Sequence, residues 1–111
     1  MIIDFKTKKL EKIFNSEKEL AREYGKKNSR AIMRRMAVIR AAIHLAEISH
    51  KPPTRRHELT GSQKGEFAVD LDHPFRLVFK PNHNPLPVKD DGGLDLSQIT
   101  NITILRVEDY H

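Results

Sequence analysis

At positions 51–53, the short run KPP, the spacing of apolar residues changes. Before it they recur every three or four residues; after it they alternate. One regular element cannot hold both patterns, because the first builds a stripe along a helix and the second builds one face of a strand. Proline closes the helical half, since it lacks the N–H that continues a helix and disfavours the α conformation in the residue before it. Elements segregated in this order read as α+β. A chain of 111 residues has room for one core, so a single domain over 1–111 is expected.

The helical half opens with MIIDF, a short first strand. Leu10, Ile13 and Phe14 fall at helical spacing and place a short helix at Lys8–Phe14. Ser16 then stands as an N-cap, with Glu19 three residues on in the capping-box position and Gly25 as the stop. The strongest pattern is NSRAIMRRMAVIRAAIHLAEIS, a helix expected over 28–49 and capped by Asn28 or Ser29. Ile32, Met36, Ile39, Ile43 and Ala46 form its apolar stripe, which must face the core. Lys27, Arg30 and Arg34 stack on a separate face, joined less regularly by Arg35 and His44.

The second half alternates. In EFAVDLD, Phe67, Val69 and Leu71 oppose Glu66, Ala68 and Asp70; in FRLVFK, Phe75, Leu77 and Phe79 oppose Arg76, Val78 and Lys80. DHP between them is a tight turn, so the two runs form an antiparallel hairpin. NITILRV is the last strand. Arg106 shares parity with Ile102 and Ile104, which leaves its face ambiguous. Residues 81–98, with three prolines and two glycines, read as an exposed insertion loop. The expected architecture is a small, mostly antiparallel sheet with two or three helices packed on one face.

No apolar run is long enough to cross a bilayer, and the first residues lack the apolar centre of a signal peptide, so a cytoplasmic location is expected. Cysteine is absent, which removes disulfides, thiolate metal sites and thiol nucleophiles. The histidines show no metal-ligand spacing, and no metal or other cofactor is expected. The net charge of +5 favours a polyanionic partner.

Residues able to do chemistry cluster in three segments: RRHELTGSQKGEF, HPFRLVF and the closing VEDYH. Alone, each has a plain explanation. His57 beside two arginines is a solvated surface residue, Arg76 an exposed strand arginine, and DYH a tail with a half-buried tyrosine. His44 and His50 read as helix-surface residues and His73 as a turn residue. Together and in this order, the three segments resemble the HigB branch of the RelE-type toxins of bacterial toxin–antitoxin systems. The resemblance covers most of the chain. DYH is its most specific piece, GxxKGxF followed by FRLxF is less so, and the helical half matches only in layout. The sequence departs from the pattern in the long loop 81–98 and in Glu108, an acid where a hydrophobic residue is expected.

The resemblance implies a RelE-like toxin fold and a small basic endoribonuclease that cleaves mRNA on the 70S ribosome without a metal. The ribose 2′-hydroxyl would attack the adjacent phosphate, leaving a 2′,3′-cyclic phosphate and a 5′-hydroxyl end. A cognate HigA-like helix-turn-helix antitoxin would neutralise it, and operator DNA would be reached only through that complex. Such chemistry needs a base for the 2′ proton, an acid for the departing 5′ oxygen, and a cation for the phosphoryl charge. Histidine titrates in the useful range, and arginine grips two phosphate oxygens at once.

On the matching positions, His57 and His111 form the acid–base pair in either order, Arg76 supplies charge, and Asp109 and Tyr110 assist. Asp109 and His111 share parity on an extended tail, with Tyr110 opposite, and a terminal carboxylate on His111 would favour its protonated form. Lys27, Arg30, Arg34, Arg55, Arg56 and Lys64 are the candidates for RNA and ribosome contact through phosphates. Two other functions fit the same residues: a catalytically inactive module that grips an antitoxin and helps it occupy operator DNA, and a metal-independent nuclease acting on free RNA. The small size disfavours the latter, because nothing obvious positions a strand without the ribosome.

Overall fold

The structure, a computed structural model, describes residues 1–110. The first strand, β1 (Ile2–Phe5), leads into α1 (Lys8–Phe14), whose first turn is capped by the Thr7 hydroxyl accepting from Leu10 N–H. Ser16 caps α2 (Glu17–Ala41) by accepting from Glu19 N–H at 3.2 Å, as the capping-box spacing requires. At Gly25 the backbone leaves the helical region: its φ of 83° and ψ of 163° lie where only glycine is comfortable, so two helical segments meet there at a kink, the stop expected of this glycine. The second segment resumes at once, and Asn28 and Ser29 lie buried within it and are not its caps. The Asn28 side-chain oxygen instead accepts from the backbone N–H of Asp72, tying α2 to a distant turn.

The long helix stops at Ala41, eight residues before the expected end. Ala42 is extended, and the terminal ammonium of Met1 donates to the carbonyls of Arg40 and Ala42. Those carbonyls lack intrahelical partners, and a cation there also suits the helix dipole. Leu45 N–H then bonds Ile99 O, and a 3₁₀ turn follows at Leu45–Glu47. The helical stripe consequently breaks after Ile39. Ile43 is 71% exposed and Ala46 is exposed, while Ala42, Leu45 and Ile48 are buried in their place. His44 lies beyond the helix, half-buried, and His50 sits in the following loop.

Four more strands follow: β2 (His57–Glu58), β3 (Phe67–Asp70), β4 (Phe75–Pro81) and β5 (Asn101–Asp109). The five-stranded sheet has the order β1-β5-β4-β3-β2; β1 runs parallel to β5 and every other pair is antiparallel. One face carries Phe67, Val69, Leu77, Phe79, Ile102 and Ile104 into a core with Ile32, Met36 and Ile39 of α2. Alternation in β3 and β4 places these residues correctly, and Phe67 stacks on Phe79 at 6.0 Å. The helices cover this face, giving the α+β architecture expected.

The other face holds a small apolar cluster of Leu59, Ala68, Val78 and Leu105, surrounded by charged side chains. A bulge shapes it. Phe79 pairs with Ile104 but Val78 pairs with Arg106, so Leu105 is an extra residue in β5. The bulge reverses the side on which later residues point. Arg106 and Glu108 leave the Ile102–Ile104 side and join Val78 and Arg76 on the face away from the helices. This removes the ambiguity that parity alone leaves at Arg106.

Residues 82–100 form an organised connection. Val88 bridges to Leu94, Asp95 caps a 3₁₀ turn at Leu96–Gln98, and Leu94 and Leu96 pack against the core. The His83 ring nitrogen Nε2 accepts from Thr100 and Asn101 N–H. The connection joins the last residue of β4 to the first of β5, at the end of those strands opposite Arg76 and Glu108. No helix among the described residues is long and apolar enough to cross a membrane.

Candidate active site on the sheet face

Register assembles a charged row. Asp70 on β3, Arg76 on β4 and Glu108 on β5 face one another across three strands. The Arg76 guanidinium grips Glu108 through Nε at 2.9 Å and Nη2 at 2.6 Å, and Nη2 also donates to the Gln63 side-chain oxygen. Arg106 binds the other Glu108 oxygen and reaches Glu66 at 2.6 Å. Burial would raise the Glu108 carboxyl, but hydrogen bonds from Arg106, Arg76 and Gln63 together outweigh it and hold it below its ordinary value. The acid that departs from the HigB-like pattern is thus the hub of the face.

Arg55 closes one side. Its φ of 49° is left-handed, an arrangement that costs a non-glycine residue about 1–2 kcal/mol. The backbone is held there by Arg55 N–H to Lys51 O, and the side chain forks onto Asp70 at 2.7 and 2.9 Å. The hydrogen bond to Asp70 raises the Arg55 guanidinium, burial opposes this, and the nearby Tyr110 hydroxyl adds to the rise. Tyr110 extends β5 by donating its backbone N–H to Pro74 O. Its ring lies under Arg76, 5.1 Å from the guanidinium carbon, and meets the His73 ring edge-on at 6.0 Å.

His57 shares this face. It stands in the row His57, Ala68, Val78, Arg106, one step along the strands from the Asp70–Arg76–Glu108 row. Its Nδ1 is 2.8 Å from Arg55 O. Two strand spacings, about 10 Å, separate β2 from β4, so His57 flanks Arg76 without touching it. Asp109 is exposed opposite Phe75. His111 lies outside the described residues.

Arg55, Arg76 and Arg106 therefore face Asp70, Glu108 and Glu66, a balanced set of charges. Arg76 keeps one resource: its Nη1 has no hydrogen-bond partner among the described residues. The other sequence candidates divide. Arg56 is committed to the fold, donating to Ile48 O, with burial lowering its guanidinium. Arg35, expected on the basic helix face, is buried and bonds the carbonyls of Asp70 and Pro53. Lys64 is exposed at the far margin of the sheet, beside Lys80 and His83. Lys27, Arg30 and Arg34 line a separate cavity with His73.

Sequence reasoning missed Asp70, Gln63 and His73 as parts of this surface. Asp70 was within reach, because a hairpin closed at DHP sets residue 70 opposite residue 76. Among the described residues no group of three or more His, Asp or Glu side chains is placed to hold a metal ion.

A solved YoeB/ParE toxin from Agrobacterium tumefaciens superposes on all of the chain and is itself covered completely, with a TM-score of 0.56 and 10% sequence identity. The chain has the fold of a YoeB/ParE toxin. At that identity the likeness extends to the fold alone. No family model matches the sequence, and no curated protein matches it either. In the YoeB/ParE-type fold of this chain, Arg76, Tyr110, Arg55 and His57 all belong to the sheet face turned away from the helices.

Proposed function

We propose that the chain is the toxin of a type II toxin–antitoxin pair, a HigB-like, ribosome-dependent endoribonuclease that cleaves mRNA by 2′-hydroxyl attack. The observation that carries this reading is the meeting of Arg76 and Tyr110 on the sheet face turned away from the helices. Arg76 offers Nη1 to a phosphoryl oxygen and keeps its fork oriented by Glu108 and Gln63. Tyr110 offers a ring for a base or a hydroxyl for a phosphate. His57 and His111 share the proton transfers, with Asp109 as an orienting partner. The side chains suffice for this chemistry without a metal or other cofactor. A HigA-like antitoxin in the cytoplasm would restrain it, and operator DNA would be met only through that complex.

Purified 70S ribosomes with a defined mRNA test the reading. The chain should cut the message to leave 5′-hydroxyl ends, and His111→Ala should slow cutting at least a hundredfold, the usual scale for losing a general acid or base. A folded alanine variant that cuts as fast would remove His111 from the site.

A specific observation favours a second function. Glu108 fills the Arg76 fork with a carboxylate and leaves the face electrically balanced. A face of that kind suits a protein partner, and the chain would then be an inactive module that grips its antitoxin. Ribosomes presenting an intact message would decide for it.

A further inference from the structure

A group of unpaired cations among the described residues lies beside the Arg76 face, not on it. A cavity of about 330 Å³ opens between α2 and the turn joining β3 to β4, lined by Lys27, Arg30, Arg34, Arg35, Asp72 and His73. Lys27, Arg30 and Arg34 are exposed and form no ion pair or side-chain hydrogen bond among the described residues. Arg35, behind them, is spent on backbone carbonyls. Burial lowers its guanidinium and the like charge of Arg34 lowers it further, so an anion in the cavity would relieve that crowding. Among the described residues Asp72 is the one carboxylate in the lining, against three uncommitted cations.

We propose that this cavity binds a backbone phosphate of a single-stranded polynucleotide whose neighbouring base rests against Tyr110. The inference rests on the ribonuclease reading only for the strand being RNA. Three features select a nucleotide over an acidic peptide. Two guanidiniums one helical turn apart, Arg30 and Arg34, form a fork for phosphate oxygens. His73 belongs both to the cavity wall and to the ring pair with Tyr110, so the anion site and an aromatic platform are contiguous. Positive charge interleaved with aromatic rings is the arrangement by which single strands are held, phosphate in the groove and base on the ring; a carboxylate peptide has no use for the ring. Asn28 fixes the geometry by holding the Asp72 end of the turn against α2.

The test is equilibrium binding of a fluorescent 2′-O-methyl RNA oligomer, which cannot be cut by 2′-hydroxyl attack, to the full chain across a salt series. Arg30→Gln with Arg34→Gln should weaken binding at least tenfold. The slope of log affinity against log salt should become shallower by about 0.7, the value for the one phosphate of a single strand that the variant no longer neutralises. Arg22→Gln, elsewhere on α2 and paired with Glu19, should leave both unchanged. Binding and slope indifferent to the double substitution would overturn the site. So would a glutamate-rich peptide that binds as tightly and is weakened to the same degree. Cleavage on ribosomes is scored separately with the unsubstituted chain. An intact message with binding still sensitive to Arg30 and Arg34 refutes catalysis and keeps the cavity; a cut message with insensitive binding does the reverse.

Discussion

A carboxylate at position 108 sits between the guanidiniums of Arg76 and Arg106, with Arg76 and Glu108 side chains only 13% and 20% exposed. At that depth an ion pair is worth more than a solvated one, and removing one partner leaves the other charge uncompensated. Glu108→Gln should therefore cost about 1–2 kcal/mol of stability at neutral pH, read by urea denaturation. The pH dependence has a definite sign. Because the folded chain holds the Glu108 carboxyl below its ordinary value, its contribution is complete above that value and fades as pH falls through the lowered one. The gap between wild type and variant should close on acidification; a gap constant through the acid range would mean that charge is not its source. The same substitution releases the Arg76 guanidinium from its ion pair while Arg106 keeps Glu66, so a phosphate-bearing RNA analogue should bind it more tightly and with a steeper salt slope than wild type.

Among the elements, α2 shows most clearly where local rules stop. Its start obeys the capping box, and its middle obeys the apolar stripe as far as Ile39. Gly25 joins the two helical segments of α2 at a kink, in a backbone region closed to other residues. No atom within 4 Å blocks a Cβ there, so Gly25→Ala isolates the backbone term. It should lower stability by about 1–3 kcal/mol in thermal or chemical unfolding. A neutral result would show that the bend is not required. The early end at Ala41 combines a local contact with distant ones: Ile43 N–H donates to the Glu47 carboxylate, the Met1 ammonium donates to the carbonyls of Arg40 and Ala42, and Leu45 N–H bonds Ile99 O.

For the whole molecule, the sheet keeps two ends apart. β4 advances about 20 Å from Phe75 to Pro81, at roughly 3.4 Å per residue. The 82–100 connection occupies one end, and Arg76, Glu108 and Tyr110 the other. Replacing residues 89–93, the tip beyond the Val88–Leu94 bridge, with a short glycine link should leave RNA binding and message cleavage unchanged, while Leu94 and Leu96 keep their packing. A variant that folds but loses either activity would place the loop at the site.

By itself the sequence determined everything that depends on neighbours a few residues apart. The KPP break, the two apolar periods, the β3–β4 hairpin and its core face are local, because pleat and helical pitch repeat over two to four residues. The α+β class follows from them. The tertiary structure alone decided what depends on residues far apart. One inserted residue at Leu105 turned Arg106 and Glu108 onto the Arg76 face, and the fold brought the Met1 ammonium onto the carbonyls at the end of α2. It also left the free cations of Lys27, Arg30 and Arg34 beside His73, while the arginines of the sheet face found acids. Charge composition counts cations but cannot pair them: pairing acts across space, and register, not sequence order, sets which groups meet.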